Sequence, residues 1–166
     1  MSLISQIAYD LLQGNKSLPI PIETIVANHG IKLLSYDLGE GISGVLIIEQ
    51  GEATIGYNKN EHRVRNRFTI AHEFGHYMLH KEKDLFVDKD FKVMFRANPS
   101  NDINEKHEKE ANEFAASILM PEDLLRREID LLDLDYTDEN AVKILAKKFD
   151  VSPISMSIRI SKINFF

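Results

Sequence analysis

Residues 67–82 read RFTIAHEFGHYMLHKE, and the conformation of this stretch decides most of the fold and the chemistry. His72, His76 and His80 recur every four residues, Glu73 follows the first of them, and apolar side chains fill most of the gaps. The chain has six histidines, so half of them fall in this one segment. From Val64 to His80 apolar residues surround most of a helical circumference, which predicts a helix inside the fold rather than on its surface. On that helix His72 and His76 are separated by about 40° and roughly 6 Å of rise, so both imidazoles face one point and can share an ion. Glu73 lies about 100° around from His72, beside the ion, where a carboxylate can take a proton from water that the metal activates.

This is the HExxH arrangement of zinc peptidases, and it needs a third protein ligand. His80 continues the stagger, but it lies about 12 Å along the helix from His72, whereas all ligands of one zinc lie about 2 Å from it. It is therefore expected to hydrogen-bond near the helix end. The segment HEKEANEFAASILMP, residues 107–121, offers Glu108, Glu110 and Glu113. At about 100° per residue, Asn112, Ala115 and Leu119 share the face of Glu108, a face able to point inward. Glu108 is thus the expected ligand, with Asn112 placed one turn later to orient a ligating histidine. The plainer alternative is that Glu108 is one more surface carboxylate. Glu110, Glu113 and Ser117 fall on the opposite side, and the two glutamates read as solvated charges.

Composition narrows the rest. The chain of 166 residues with 43% hydrophobic content is expected to form one domain with a core of its own. There is no cysteine, so disulfides, thiolate metal sites and cysteine nucleophiles are excluded, and any metal must be held by His, Asp or Glu. No apolar run is long enough for a membrane span, and the N-terminus lacks the flanks of a secretory signal, so a soluble cytoplasmic protein is expected. A net charge of −6 argues against a general binder of phosphate backbones.

Along the chain, residues 3–13 and the segment IETIVANHG have helical spacing, and Gly14 and Gly30 close them. Three β-rich runs, IKLLSYD, GVLIIEQ and ATIGY, come next, and the short gap before the last predicts an antiparallel hairpin. ATIGY is a candidate edge for strand addition by an extended peptide. Residues 82–104 show no clear period and read as an irregular excursion. Helices are expected at KHEKEANEFAASILM, at PEDLLRREIDLL and on either side of VSP near the end. The class is α+β: a mostly helical single domain, zincin-like, with a small antiparallel β-sheet of about three strands beside the HExxH helix. Residues 1–64 carry the first helices and the sheet, 65–120 the metal-binding helices, and 121–166 a helical buttress.

In two long motifs the chain resembles the ImmA/IrrE family of metallo-endopeptidases. RFTIAHEFGH and EKEANEFAASILMP carry the resemblance, and PIPIETIVANHGIKL, SGVLII, IGYN, DLFVDKDFKVMFR and LAKKFDVSPISMSIRI extend it more loosely. The resemblance implies zinc ligation by His72, His76 and Glu108 and a general-base role for Glu73, the same assignment that helical phase gives. It also implies a substrate class, a helix-turn-helix transcriptional repressor cut at one site to derepress its genes, and a bacterial setting in prophages or other mobile elements. Relatives with an added DNA-binding or sensor domain exist, and this chain is expected to be the short form. A donor for the developing oxyanion is expected from Tyr57, His62, His107 or Tyr136, among which the sequence does not choose. A His/His/Glu set accepts zinc but also Mn²⁺ or another divalent ion. The rival readings are a module that binds the repressor or senses metal without hydrolysis, and a DNA-binding protein built on the last helix pair.

Overall fold

The computed structural model describes residues 2–12, 14–80, 92–94, 102–133, 135 and 137–163. Helices α1 (Leu3–Leu11) and α2 (Ile22–Asn28) precede strands β1 (Lys32–Tyr36), β2 (Gly44–Glu49) and β3 (Glu52–Asn58). Helix α3 (Arg63–His80), strand β4 (Lys92–Met94) and helix α4 (Asp102–Leu119) come next, ahead of α5 (Glu122–Leu132), α6 (Glu139–Phe149) and α7 (Pro153–Lys162). The α+β class holds, mostly helical with a small sheet.

The sheet is mixed rather than wholly antiparallel, with strand order β1-β3-β2-β4. β2 and β3 form the expected hairpin, but β1 runs parallel to β3. The reason lies in residues 37–43, which are long enough to step over one strand position and leave a slot that β3 then fills. Asn58 fixes this connection, donating from Nδ2 to the carbonyls of Gly39 and Ile42 at 2.9 Å each. ATIGY is consequently interior, hydrogen-bonded on both sides, and offers no edge to a peptide. Within the segment read as irregular, β4 pairs with Leu46–Ile48 of β2, and α4 begins at Asp102. Three residues are too few for a period to show. The remainder of that segment lies outside the described residues.

Helix α3 is buried along its length, from Arg67 through Thr69–His76 to His80. Its N-terminal end is fastened by the guanidinium of Arg67, 3% exposed, which donates to the Ile20 carbonyl at 2.8 Å and pairs with Asp150 at 3.0 Å. A buried charge needs such partners, because an unpaired one costs several kcal/mol. Farther along, α3 packs on α4 through Phe74 and Phe114, whose rings meet edge to face at 5.6 Å, a pair worth about 0.5–1.5 kcal/mol beyond the area it buries. Gly75 makes this approach close: a Cβ there would stand 3.0 Å from Phe114 Cδ1 and 3.3 Å from Ala111 Cα. The glycine inside HEFGH thus sets the spacing between the two helices that carry the candidate ligands.

On its other side α4 is covered by α1. Ser117, 3% exposed, hydrogen-bonds Ser5 at 3.0 Å, and Ser2 donates to Glu113. The face expected to be solvated is therefore partly an interface, since a neighbour on each side leaves α4 little outward surface. α7 returns to the base of the core. Arg159, a basic residue of α7, is 9% exposed and donates to the Met120 carbonyl at 3.0 Å, so it serves packing rather than facing a phosphate.

Candidate metal centre

Two elements remote in sequence meet at the middle of α3. His72 Nε2 and His76 Nε2 are 3.1 Å apart, and the Glu108 carboxylate of α4 reaches both, at 3.2 Å from His72 and 3.0 Å from His76. The two rings are nearly perpendicular, at 82°, with centroids 4.7 Å apart, so their Nε2 atoms converge instead of running side by side. Donors about 2.0–2.2 Å from a tetrahedral zinc stand about 3.3 Å from one another; the two nitrogens, and each nitrogen with its own oxygen of the Glu108 carboxylate, are at separations close to that. His72 and His76 are 0% and 3% exposed. Three electron-pair donors turned on one another repel unless a proton or a cation lies among them.

Charge is consistent with this. Burial alone would push the Glu108 carboxyl up, but hydrogen bonds from His72 and His76 and their positive charge outweigh it and hold the group far below the usual carboxylate range. The site is thus arranged to keep Glu108 ionised. Asn112 lies where helical phase put it, with Oδ1 2.9 Å from His72 Nδ1. Glu73, 3% exposed, sits on the flank of α3 that faces β2. Gly44 of β2 passes so close that a Cβ on it would stand 2.3 Å from Thr69 Cγ2 and 3.3 Å from Glu73 Cγ. This close passage was not legible in the sequence, where Gly44 reads as a strand-end residue.

Of the four candidate oxyanion donors, Tyr57 is the cross-strand partner of Gly44 and shares the sheet face that lies against α3. His62 precedes α3 and is about 15 Å of helix rise from His72, too far to take part. His107 is placed elsewhere, its ring stacked on that of His80 with centroids 4.0 Å apart. Tyr136 lies outside the described residues.

His80 does not join the first set, as its distance along the helix implied. It is 0% exposed, with Nδ1 3.1 Å from His76 Nδ1 and Nε2 2.8 Å from the Glu110 carboxylate. Burial depresses its pKa, and neighbouring His107 and His76 add to that against the pull of Glu110. Glu110 is therefore no solvated charge. It reaches around the flank of α4 to α3, which phase within a single helix cannot reveal. Donor atoms of His80, His107 and Glu110 also lie within 4.8 Å of one another.

Two histidines four apart on one helix and a glutamate from the next are the donor chemistry of His₂Glu metallohydrolases. Over residues 26–161 the chain matches the peptidase family described as IrrE N-terminal-like domain, and it belongs to that family. It is 27% identical to metallopeptidase ImmA of Bacillus subtilis (strain 168) over 92% of this chain and 89% of that protein. Its fold is also similar to a solved Mycobacterium tuberculosis transcriptional regulator, with a TM-score of 0.66 and 17% identity over 97% of this chain. The chain spans 47% of the length of that regulator. Among the described residues, no helix is long and apolar enough to cross a membrane.

Proposed function

We propose that this chain is a divalent-metal endopeptidase, using zinc in the first instance, that cuts a helix-turn-helix transcriptional repressor at one site in the bacterial cytoplasm. The observation that carries the reading is the convergence of His72 Nε2 and His76 Nε2, 3.1 Å apart, on the Glu108 carboxylate, whose two oxygens lie 3.2 Å from the first and 3.0 Å from the second, with Glu73 buried beside them. Membership of a peptidase family and likeness to a metallopeptidase support the reaction type. The repressor comes from the family resemblance.

In this reading His72, His76 and Glu108 hold the ion. Bound there, a divalent cation supplies a Lewis acid for a peptide carbonyl and lowers the pKa of water. The chain does the rest. Glu73, one residue past His72 and about 100° around the helix, accepts a proton from the attacking water and returns it to the departing amine. Asn112 accepts the Nδ1 proton of His72 and so holds that ring with Nε2 toward the ion. Tyr57, on the sheet face beside Glu73, is the favoured oxyanion donor.

The test compares wild type with Glu73→Gln on a purified helix-turn-helix repressor from the same genome, with Zn²⁺ or Mn²⁺ added. Wild type is expected to give two discrete fragments, and Glu73→Gln to lose about 10²–10⁴-fold in rate while keeping the metal. If both proteins inactivate the repressor equally and neither cuts it, the chain is a binding module instead.

A further inference from the structure

The proposed reaction gives no task to His80 or Glu110, although His80 is fully buried and both of its nitrogens are engaged. We propose that Glu110 and His80 are positioning residues that select the tautomer of His76 and thereby aim its Nε2 lone pair at the metal. The inference rests on reading His76 as a ligand.

The logic is one of donors and acceptors. An ionised carboxylate only accepts, so the Glu110 oxygen 2.8 Å from His80 Nε2 requires a proton on that nitrogen. A neutral imidazole with Nε2–H has an acceptor at Nδ1. That Nδ1 lies 3.1 Å from Nδ1 of His76, so the proton between them belongs to His76. When a cation takes the place of the proton between His76 and Glu108, His76 keeps its proton on Nδ1 and presents the lone pair of Nε2, the atom 3.0 Å from Glu108 and 3.1 Å from Nε2 of His72. A single negative charge on α4 therefore dictates, through one buried ring on α3, which nitrogen the next ring presents. His72 receives the same instruction from Asn112. Each imidazole of the pair has its own orienting partner, and both chains of instruction start on α4, the helix that also brings Glu108.

The same logic argues against a second ion between His80, His107 and Glu110. The rings of His80 and His107 are stacked, 21° from parallel at 4.0 Å, and lone pairs lying in near-parallel planes do not meet on an ion about 2 Å from each nitrogen. An ion on His80 Nε2 would also move the His80 proton to Nδ1, turn the bond to His76 around, and leave His76 with a proton on the nitrogen that should ligate.

Three measurements test the relay. On the metal-free chain, ¹⁵N NMR of the histidine rings is expected to show a proton on His76 Nδ1, hydrogen-bonded to His80, in wild type and loss of that bond in Glu110→Ala. This readout does not depend on metal, so it stands even if the chain loads none. Zn²⁺ titration is expected to show one equivalent in wild type, about 10–100-fold weaker binding in Glu110→Ala and His80→Phe, and recovery to within a few-fold in His80→Gln, whose amide oxygen accepts and whose amide nitrogen donates. In the Co²⁺-loaded chain the visible absorption should change in Glu110→Ala and return toward wild type in His80→Gln. Glu110 is at the rim, so Glu110→Ala keeps the test alive if His80→Phe does not fold. Unchanged affinity in Glu110→Ala, an Nε2–H tautomer of His76 in wild type, or a second bound equivalent lost in His107→Ala would each overturn the proposal. A wild type that binds no divalent ion, with the Nδ1 bond present and lost in Glu110→Ala, would instead sink the metal centre and spare the relay.

Discussion

The set of His72, His76 and Glu108 and the set of His80, His107 and Glu110 have the same composition, join the same two helices and are offset along α3 by one turn. In the first, two rings at 82° turn their Nε2 atoms toward each other and toward a carboxylate. In the second, two rings at 21° lie flat on one another, so their nitrogens do not converge. Residue type and proximity are therefore not enough to make a metal site. Ring orientation decides it.

Three substitutions put this contrast at risk. The largest effect is expected for His72→Ala, which should reduce divalent-metal binding below detection by calorimetry or elemental analysis; stoichiometric binding by this variant would move the site to the second set. A smaller effect is expected for Asn112→Ala, about 10–100-fold in metal affinity with little change in fold, because only the orientation of His72 is lost. The smallest belongs to His107→Ala. It should leave one metal equivalent bound with wild-type affinity and lower stability by about 0.5–1.5 kcal/mol, read as a shift in thermal midpoint, since only a stacked ring is removed.

The spacing of His72, Glu73 and His76 needed nothing beyond helix geometry to be read, and the phase of Glu108 against Glu110 was enough to choose the carboxylate that now lies at the two rings. Other features were hidden for identifiable reasons. Glu110 looks solvated within its own helix, and only the packing of α4 on α3 reveals His80 within its reach. Residues 37–43 do not announce that they step over a strand, so the parallel pairing of β1 and the interior place of ATIGY were lost together. Gly44 and Gly75 looked like ordinary glycines until a neighbouring element was placed where a Cβ would stand.

Amino-acid order alone dictates which side chains share a helix face, that two imidazoles are presented together, and that no thiolate ligand is available. These properties come from a fixed rise and rotation per residue and from composition. Packing was needed to settle that Glu110 meets His80, which histidine ends up behind another instead of beside it, and which strand lies inside the sheet. Those outcomes depend on the distance and angle between elements far apart in the chain, and that distance is set by contacts such as Gly75 against Phe114, which no local period encodes.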